Sequence, residues 1–142
     1  MFNEALKAGE IKLIDTLKQW HDIVENRNSD KLHEILDKSV AMVSPVVYTP
    51  QIGRVITKKY LSAALNVIGN KHFKYVREIS NADGAMLEFE TEVDGIYVNG
   101  VDIISWNEQG LITEFKVMLR PLQAVNIIQK KMMAMLQKAE SS

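Results

Sequence analysis

Between Ile11 and Glu25 the apolar residues Leu13, Leu17, Trp20 and Val24 recur at spacings of three and four, flanked by Ile14 and His21. That period predicts an amphipathic helix with one face against a core. Asn26-Arg27-Asn28 breaks the pattern, and Ser29 or Asp30 can cap a short second helix, Asp30 to Leu36, presenting Leu32, Ile35 and Leu36. A short strand is expected from Ser39 to Ser44, ended by Pro45. Pro45 and Pro50 then frame an irregular loop, Val46-Val47-Tyr48-Thr49, continuing through Gly53-Arg54. Thr57 caps a predicted third helix through Ile68, with Tyr60, Leu61, Ala64, Leu65 and Ile68 facing inward, and Gly69-Asn70 stops it.

At His72 the period drops from 3.6 to 2. Phe73, Tyr75, Arg77 and Ile79 alternate with Lys74, Val76 and Glu78, and Asn81-Ala82-Asp83-Gly84 turns the chain. Leu87, Phe89, Thr91 and Val93 alternate with Glu88, Glu90 and Glu92, the signature of a half-buried strand. Asp94-Gly95 and Asn107-Glu108-Gln109-Gly110 are hairpin signals. The last strand, Leu111 to Leu119, sets Phe115, Val117 and Leu119 against Glu114, Lys116, Met118 and Arg120. Pro121 ends it and suits the first turn of a closing helix to about Lys138, with Ala139 to Ser142 expected to fray. Helices first and strands later predict one α+β domain, with helices packed on one face of a curved antiparallel sheet.

Composition narrows the function classes. The 142 residues are 46% apolar and 25% charged, and seventeen basic against eighteen acidic residues leave a net charge of −1. Nucleic-acid binders carry a basic excess or stripe. Lys58-Lys59 and Lys130-Lys131 are too small for one, so no nucleic-acid partner is expected. The absence of cysteine removes disulfides, thiolate nucleophiles and cysteine-based zinc sites together. The N-terminus lacks the basic start and apolar run of a secretory signal, and no stretch approaches the roughly 20 apolar residues that span a bilayer. The expectation is a cytoplasmic protein without a membrane partner.

The candidate chemistry centres on Asp102. Along Ile96 to Asn107, alternate residues place Val98, Gly100, Asp102, Ile104 and Trp106 on one face, and Tyr97, Asn99, Val101, Ile103 and Ser105 on the other. A carboxyl in mid-strand among apolar residues must be paired, hydrogen-bonded or protonated, and desolvation raises its pKa. Two readings stay open: an acid, base or donor toward a ligand, or a structural carboxylate that pairs with a lysine or arginine across the sheet or caps a neighbouring turn. His21, beside the buried stripe of the first helix, is either a boundary residue or a polar group lining a cavity. His33 and Asp37 lie one helical turn apart, too few ligands for a metal, and His72 is expected to face water. Neither a metal nor a cofactor is implied. Ser44, His21 and Asp102 can be written as a triad, but no Gly-x-Ser-x-Gly elbow accompanies them. Met132, Met133, Met135 and Leu136 enrich the last helix in adaptable apolar surface, suited to core, lid or subunit contact.

Three local patterns, in this element order, carry a resemblance. They are Trp20 followed by Asn28-Ser29-Asp30, the loop from Ser44-Pro45-Val46-Val47 to Gly53-Arg54, and the block from Gly100-Val101-Asp102-Ile103-Ile104-Ser105-Trp106 through Asn107-Glu108-Gln109-Gly110-Leu111-Ile112. With Phe115-Lys116-Val117-Met118-Leu119-Arg120-Pro121-Leu122 after them, nearly the whole chain resembles the nuclear transport factor 2-like superfamily, in particular its SnoaL-like branch. The resemblance implies a cone in which a strongly bent sheet wraps the helices around a deep apolar pocket, as in ketosteroid isomerase, scytalone dehydratase and polyketide cyclases. In the isomerase a protonated aspartic acid on a late strand donates to the substrate oxygen, and Asp102 matches that strand position. The isomerase's base, an aspartate before a proline, is replaced here by Ser44 before Pro45. Its helix-one tyrosine falls near Trp20 or His21.

Two functions follow as expectations. One is a pocket for a hydrophobic small molecule, with Asp102 and His21 as candidate acid–base groups. Trp20, Phe89, Ile104, Trp106 and Phe115 would supply walls, with Ser44 and Tyr48 at the loop side. The other is a non-catalytic binding or homodimeric module. It would use the outer sheet face, where Val76, Met86, Tyr97, Val101, Ile103 and Met118 mix with charged residues.

Overall fold

The computed structural model describes residues 16–141, with side chains to Lys138. Leu13 and Ile14, placed on the first helix by the pattern, lie outside the described residues. From residue 16 the expected helix is present as α1 (16–26), its buried face carrying Trp20 and Ile23 with Leu17 and Val24 packed against the core. Thr16 Oγ1 ties its start to the carbonyl of Gly110 at 2.9 Å.

The second helix is shorter than its pattern suggests. A 3-10 turn, Ser29–Lys31, runs into α2 (Leu32–Ile35), and neither Ser29 nor Asp30 caps it, the cap position being Asn28. Leu36 already belongs to β1 (Leu36–Val43), three residues ahead of the strand expected at Ser39. The apolar run Leu32, Ile35, Leu36 suited one helical face, but Leu36 is claimed by pairing with Ile112 of the last strand. β2 (Gln51–Ile52) pairs back on Ala41 and Met42. The third helix, α3 (Arg54–Val67), begins one turn before Thr57. Gly53, at φ 123°, occupies the cap position, where a side chain would be strained, and its carbonyl accepts from Thr57 N. Thr57 therefore sits inside the helix, its hydroxyl buried and without a hydrogen bond among the described residues.

β3 (Lys74–Asn81), β4 (Gly84–Val93), β5 (Ile96–Trp106) and β6 (Ile112–Arg120) follow as the period-2 pattern predicts, and α4 (Leu122–Ser141) closes the chain. That helix continues through residues expected to fray. The strand order is β2-β1-β6-β5-β4-β3. All neighbours are antiparallel except β1 and β6, which run parallel, so the curved sheet is mixed rather than wholly antiparallel. Parallel neighbours need a long crossover, and α3 with the four strands β2 to β5 provides it.

A bulge between Tyr75 and Arg77 breaks the predicted alternation of β3. The extra residue switches the pleat. Tyr75 stands opposite inward Phe89, whereas Arg77 and Ile79 stand opposite outward Glu88 and Met86, and Glu78 takes the inward register against Leu87. On β4 and β5 the phase holds: Leu87, Phe89, Thr91 and Val93, then Val98, Gly100, Asp102, Ile104 and Trp106, are all buried. α3 packs on β1 and α4, and α4 covers β4, β5 and β6. The helices and the inner sheet face thus enclose one core, with Trp20 edge-on to Phe115 at 4.8 Å between ring centroids.

Candidate functional site

Gly100 explains how the inner face opens. A Cβ there would lie 2.5 Å from Cζ of Phe89, its cross-strand partner, and 2.7 Å from the carbonyl of Met118. The missing side chain lets the Phe89 ring lie flat over β5, with Phe73 against it at 5.2 Å. Around these rings a cavity extends between the sheet and the helices. α1 contributes Trp20 and Val24, α3 contributes Tyr60, Leu61, Ala64 and Leu65, α4 contributes Ile128 and Met132, and Met42, Pro45, Phe115, Val117 and Leu119 complete the wall. Its empty volume, mouth included, is about 610 Å³. The wall is almost wholly apolar.

Asp102 is the only ionisable carboxyl among the described residues that line this cavity. It sits between Leu87 and Val117 in register and is 7% exposed. Its partner is neither lysine nor arginine. Tyr75 Oη donates to Asp102 Oδ2 at 2.6 Å, and Trp20 Nε1 donates to Tyr75 Oη at 3.0 Å. This chain of donors has one direction. The indole can only donate, so the phenol oxygen accepts from it and gives its own proton to Oδ2. Oδ1 has no hydrogen bond among the described residues, and Asp102 lines the cavity.

Burial raises the Asp102 carboxyl from 3.8 to about 7, while the Tyr75 hydrogen bond pulls the other way. Burial also raises Tyr75 well above its ordinary value, followed by the charge of Asp102 and the hydrogen bond to it. Tyr75 therefore stays a phenol and a donor. Near neutrality the acid is divided between two forms. When protonated, it carries its proton on Oδ1, because Oδ2 is already accepting.

The other candidates divide between the wall and the rest of the domain. Trp20, Phe89 and Phe115 are on the wall. Ile104 and Trp106 are buried off it, the Trp106 indole donating to the carbonyl of Ala82 in the β3–β4 turn at 2.8 Å. Ser44 Oγ accepts from the amides of Val46 and Val47, folding the loop after β1. Tyr48 is 99% exposed. His21 stacks edge-on against the outer side of Tyr75 at 5.4 Å and bonds Glu78 Oε1 through Nε2 at 2.6 Å, half in solvent and off the wall. The inward register of Glu78 after the bulge makes that pair possible. No hydrogen bond or ion pair joins Ser44, His21 and Asp102 among the described residues. No group of three or more His, Asp or Glu stands there ready for a metal.

Tyr75 is the site residue that the sequence pattern did not single out. The signal was present: a tyrosine on an inward phase must find a partner for its hydroxyl, and Asp102 needed a donor.

The structure resembles several solved ones. A steroid delta-isomerase from Pseudomonas aeruginosa superposes with a TM-score of 0.87 at 25% identity, covering 92% of this chain and 96% of its own. An uncharacterised bacterial protein with a cystatin-like fold from Silicibacter pomeroyi reaches 0.78 at 28% identity, over 84% and 83%. A nuclear transport factor 2-like protein of unknown function from Mesorhizobium loti reaches 0.67 at 16% identity, over 78% and 92%. The fold is the nuclear transport factor 2-like cone. No family model matches the chain, and no curated protein does. Within this cone the Trp20–Tyr75–Asp102 chain sits on the inner wall, where the sheet faces the helices.

Proposed function

We propose that this domain binds a small hydrophobic molecule bearing an oxygen that accepts a hydrogen bond, such as a ketone, and that protonated Asp102 Oδ1 is the donor. The supporting observation is the single carboxyl in an apolar wall, one oxygen committed to Tyr75 and the other without a hydrogen bond among the described residues. Apolar pockets with a few placed polar groups are the usual form of small-molecule sites. On the same reading the protein belongs with the SnoaL-like branch and acts in the cytoplasm. The test is a thermal-shift screen of hydrophobic ketones, each beside the hydrocarbon of the same shape. Ketones should stabilise the wild type more than their hydrocarbons do, and Asp102→Leu should erase the difference while leaving hydrocarbon binding intact. Equal preference in both proteins would remove Asp102 from the site.

A second reading, acid–base catalysis of isomerase or lyase type, is favoured by the carboxyl standing near neutrality and by the likeness to a steroid delta-isomerase. Against it, Ser44 stands at the position of the second carboxylate, its hydroxyl occupied by backbone amides. Turnover of a β,γ-unsaturated ketone that vanishes in Asp102→Asn would establish this reading, and binding without turnover would leave the first.

A second copy of the chain is the partner we propose for the outer sheet face. Ile79, Met86 and Met118 are exposed there around a groove rimmed by Arg77, Glu88 and Arg120. Sedimentation velocity should give a dimer that Met86→Asp dissociates, and a monodisperse wild-type monomer would refute it.

A further inference from the structure

The loop and helix start after β1 carry an apolar surface that the cavity does not use. Of the ten residues from Val47 to Ile56, five are large, apolar and exposed: Val47, Tyr48, Ile52, Val55 and Ile56. Tyr48 is 99% exposed and Val55 85%. Such a cluster on a short segment is a site of interaction rather than ordinary surface.

The charges nearest to it along the chain are basic. No acidic residue occurs between Asp37 and Glu78 in the sequence; of the seven cations in that span, Lys38, Arg54, Lys58 and Lys59 belong to the flanking β1 and α3, whereas Lys74 and Arg77 lie on β3 at the far edge of the sheet, where Arg77 pairs with Glu88. The rest of the chain then holds ten basic residues against all eighteen acidic ones. Arg54 and Lys58 neighbour Val55 and Ile56 along α3; Arg54 Nε donates to the carbonyl of Leu36 at 3.0 Å and its charge acts on Asp37, whereas Lys58 is the cation one turn on. An apolar tip followed by cations is the chemistry of a peripheral membrane contact: the apolar side chains enter the interface and the cations meet anionic headgroups. No helix among the described residues is long and apolar enough to cross a membrane, so the contact is one of docking.

We propose that the segment from Val47 to Ile56 docks this domain on an anionic lipid surface. The placement gives the docking a purpose. Met42 and Pro45 of the cavity wall precede the segment, and Tyr60 and Leu61 of the same wall follow it. The surface that enters the lipid is continuous in chain with the elements that enclose the cavity. The docking itself does not depend on which ligand the cavity takes.

Co-sedimentation of the full chain with ligand-free vesicles tests it. The protein should pellet with phosphatidylcholine–phosphatidylglycerol vesicles, pellet less as salt is raised, and stay in solution with phosphatidylcholine alone. Tyr48→Ser combined with Val55→Asp should lower partitioning about tenfold or more. Both positions are solvent-facing, and unchanged circular dichroism verifies folding. Lys58→Glu supplies an independent reduction through charge. Wild-type protein that stays in the supernatant with anionic vesicles at low salt overturns the proposal, as does equal pelleting of the double variant. A dimer in sedimentation velocity that the double variant dissociates would also overturn it, by assigning the patch to a second copy.

Discussion

Replacing Asp102 by Asn should change how stability depends on pH, and the size of the change follows from the structure. The folded carboxyl titrates at about 7 against an ordinary value of 3.8, burial being the main cause. The folded protein thus holds this proton more tightly than the unfolded chain does. The stabilisation is fully present below the unfolded value and is lost as pH rises through the folded one. Between about pH 5.5 and about pH 8.5 the wild type should lose about 2 kcal/mol through this one group. For a domain of this size that is roughly 5–10 °C in Tm. Asn keeps the shape and an acceptor for Tyr75 but binds no proton. Other groups titrate in both proteins, Asp37 among them, held low by hydrogen bonds from Ser39, so the readout is the difference between the two proteins. Urea unfolding, followed by the fluorescence of buried Trp20 and Trp106, gives both stabilities at each pH. Wild type minus Asn should fall by about 2 kcal/mol across this range and level off above it. A flat difference would show that Asp102 ionises as an ordinary carboxylate, and a rising one would reverse the sign of the argument.

Three further outcomes are expected. Tyr75→Phe removes the hydrogen bond that lowers the Asp102 pKa and leaves the Trp20 indole without its acceptor. The midpoint of the same pH effect should move upward, with a loss of about 1–3 kcal/mol in urea unfolding at fixed pH. Gly100→Ala drives a methyl into Phe89 and the Met118 carbonyl and should cost about 1–3 kcal/mol, read as a lower urea midpoint with an unchanged slope. Thr57→Val replaces a buried, unpartnered hydroxyl by a methyl of the same shape and should raise the urea midpoint by about 1 kcal/mol in stability; a loss would mean that the hydroxyl has a partner in solution.

The phase of β4 and β5 was legible because alternation over a long antiparallel pair leaves little freedom: every inward residue from Leu87 to Val93 and from Val98 to Trp106 is buried. β3 was not. A bulge shifts a strand by one residue without any change in composition, and so Arg77 and Ile79 read as companions of Tyr75 although they face outward. Asp102 could be recognised as needing a partner, but naming Tyr75 required the register across two strands and a ring reaching over β4. The same lack of register hid the parallel pairing of β1 with β6, a contact between the first and last strands. Thr57 misled for a local reason. Threonine is a good cap, but Gly53 provides the positive φ at which α3 begins.

On the proposed function, an oxygen-bearing hydrophobic ligand meets the protonated Asp102 in this cavity. Calorimetric affinity for a hydrophobic ketone and for its hydrocarbon analogue, measured across neutral pH, tests it most directly. Ketone affinity should fall about tenfold per unit above about pH 7 in the wild type, hydrocarbon affinity should not change, and neither ligand should show pH dependence in Asp102→Asn. A constant ratio of ketone to hydrocarbon affinity over that range would contradict it.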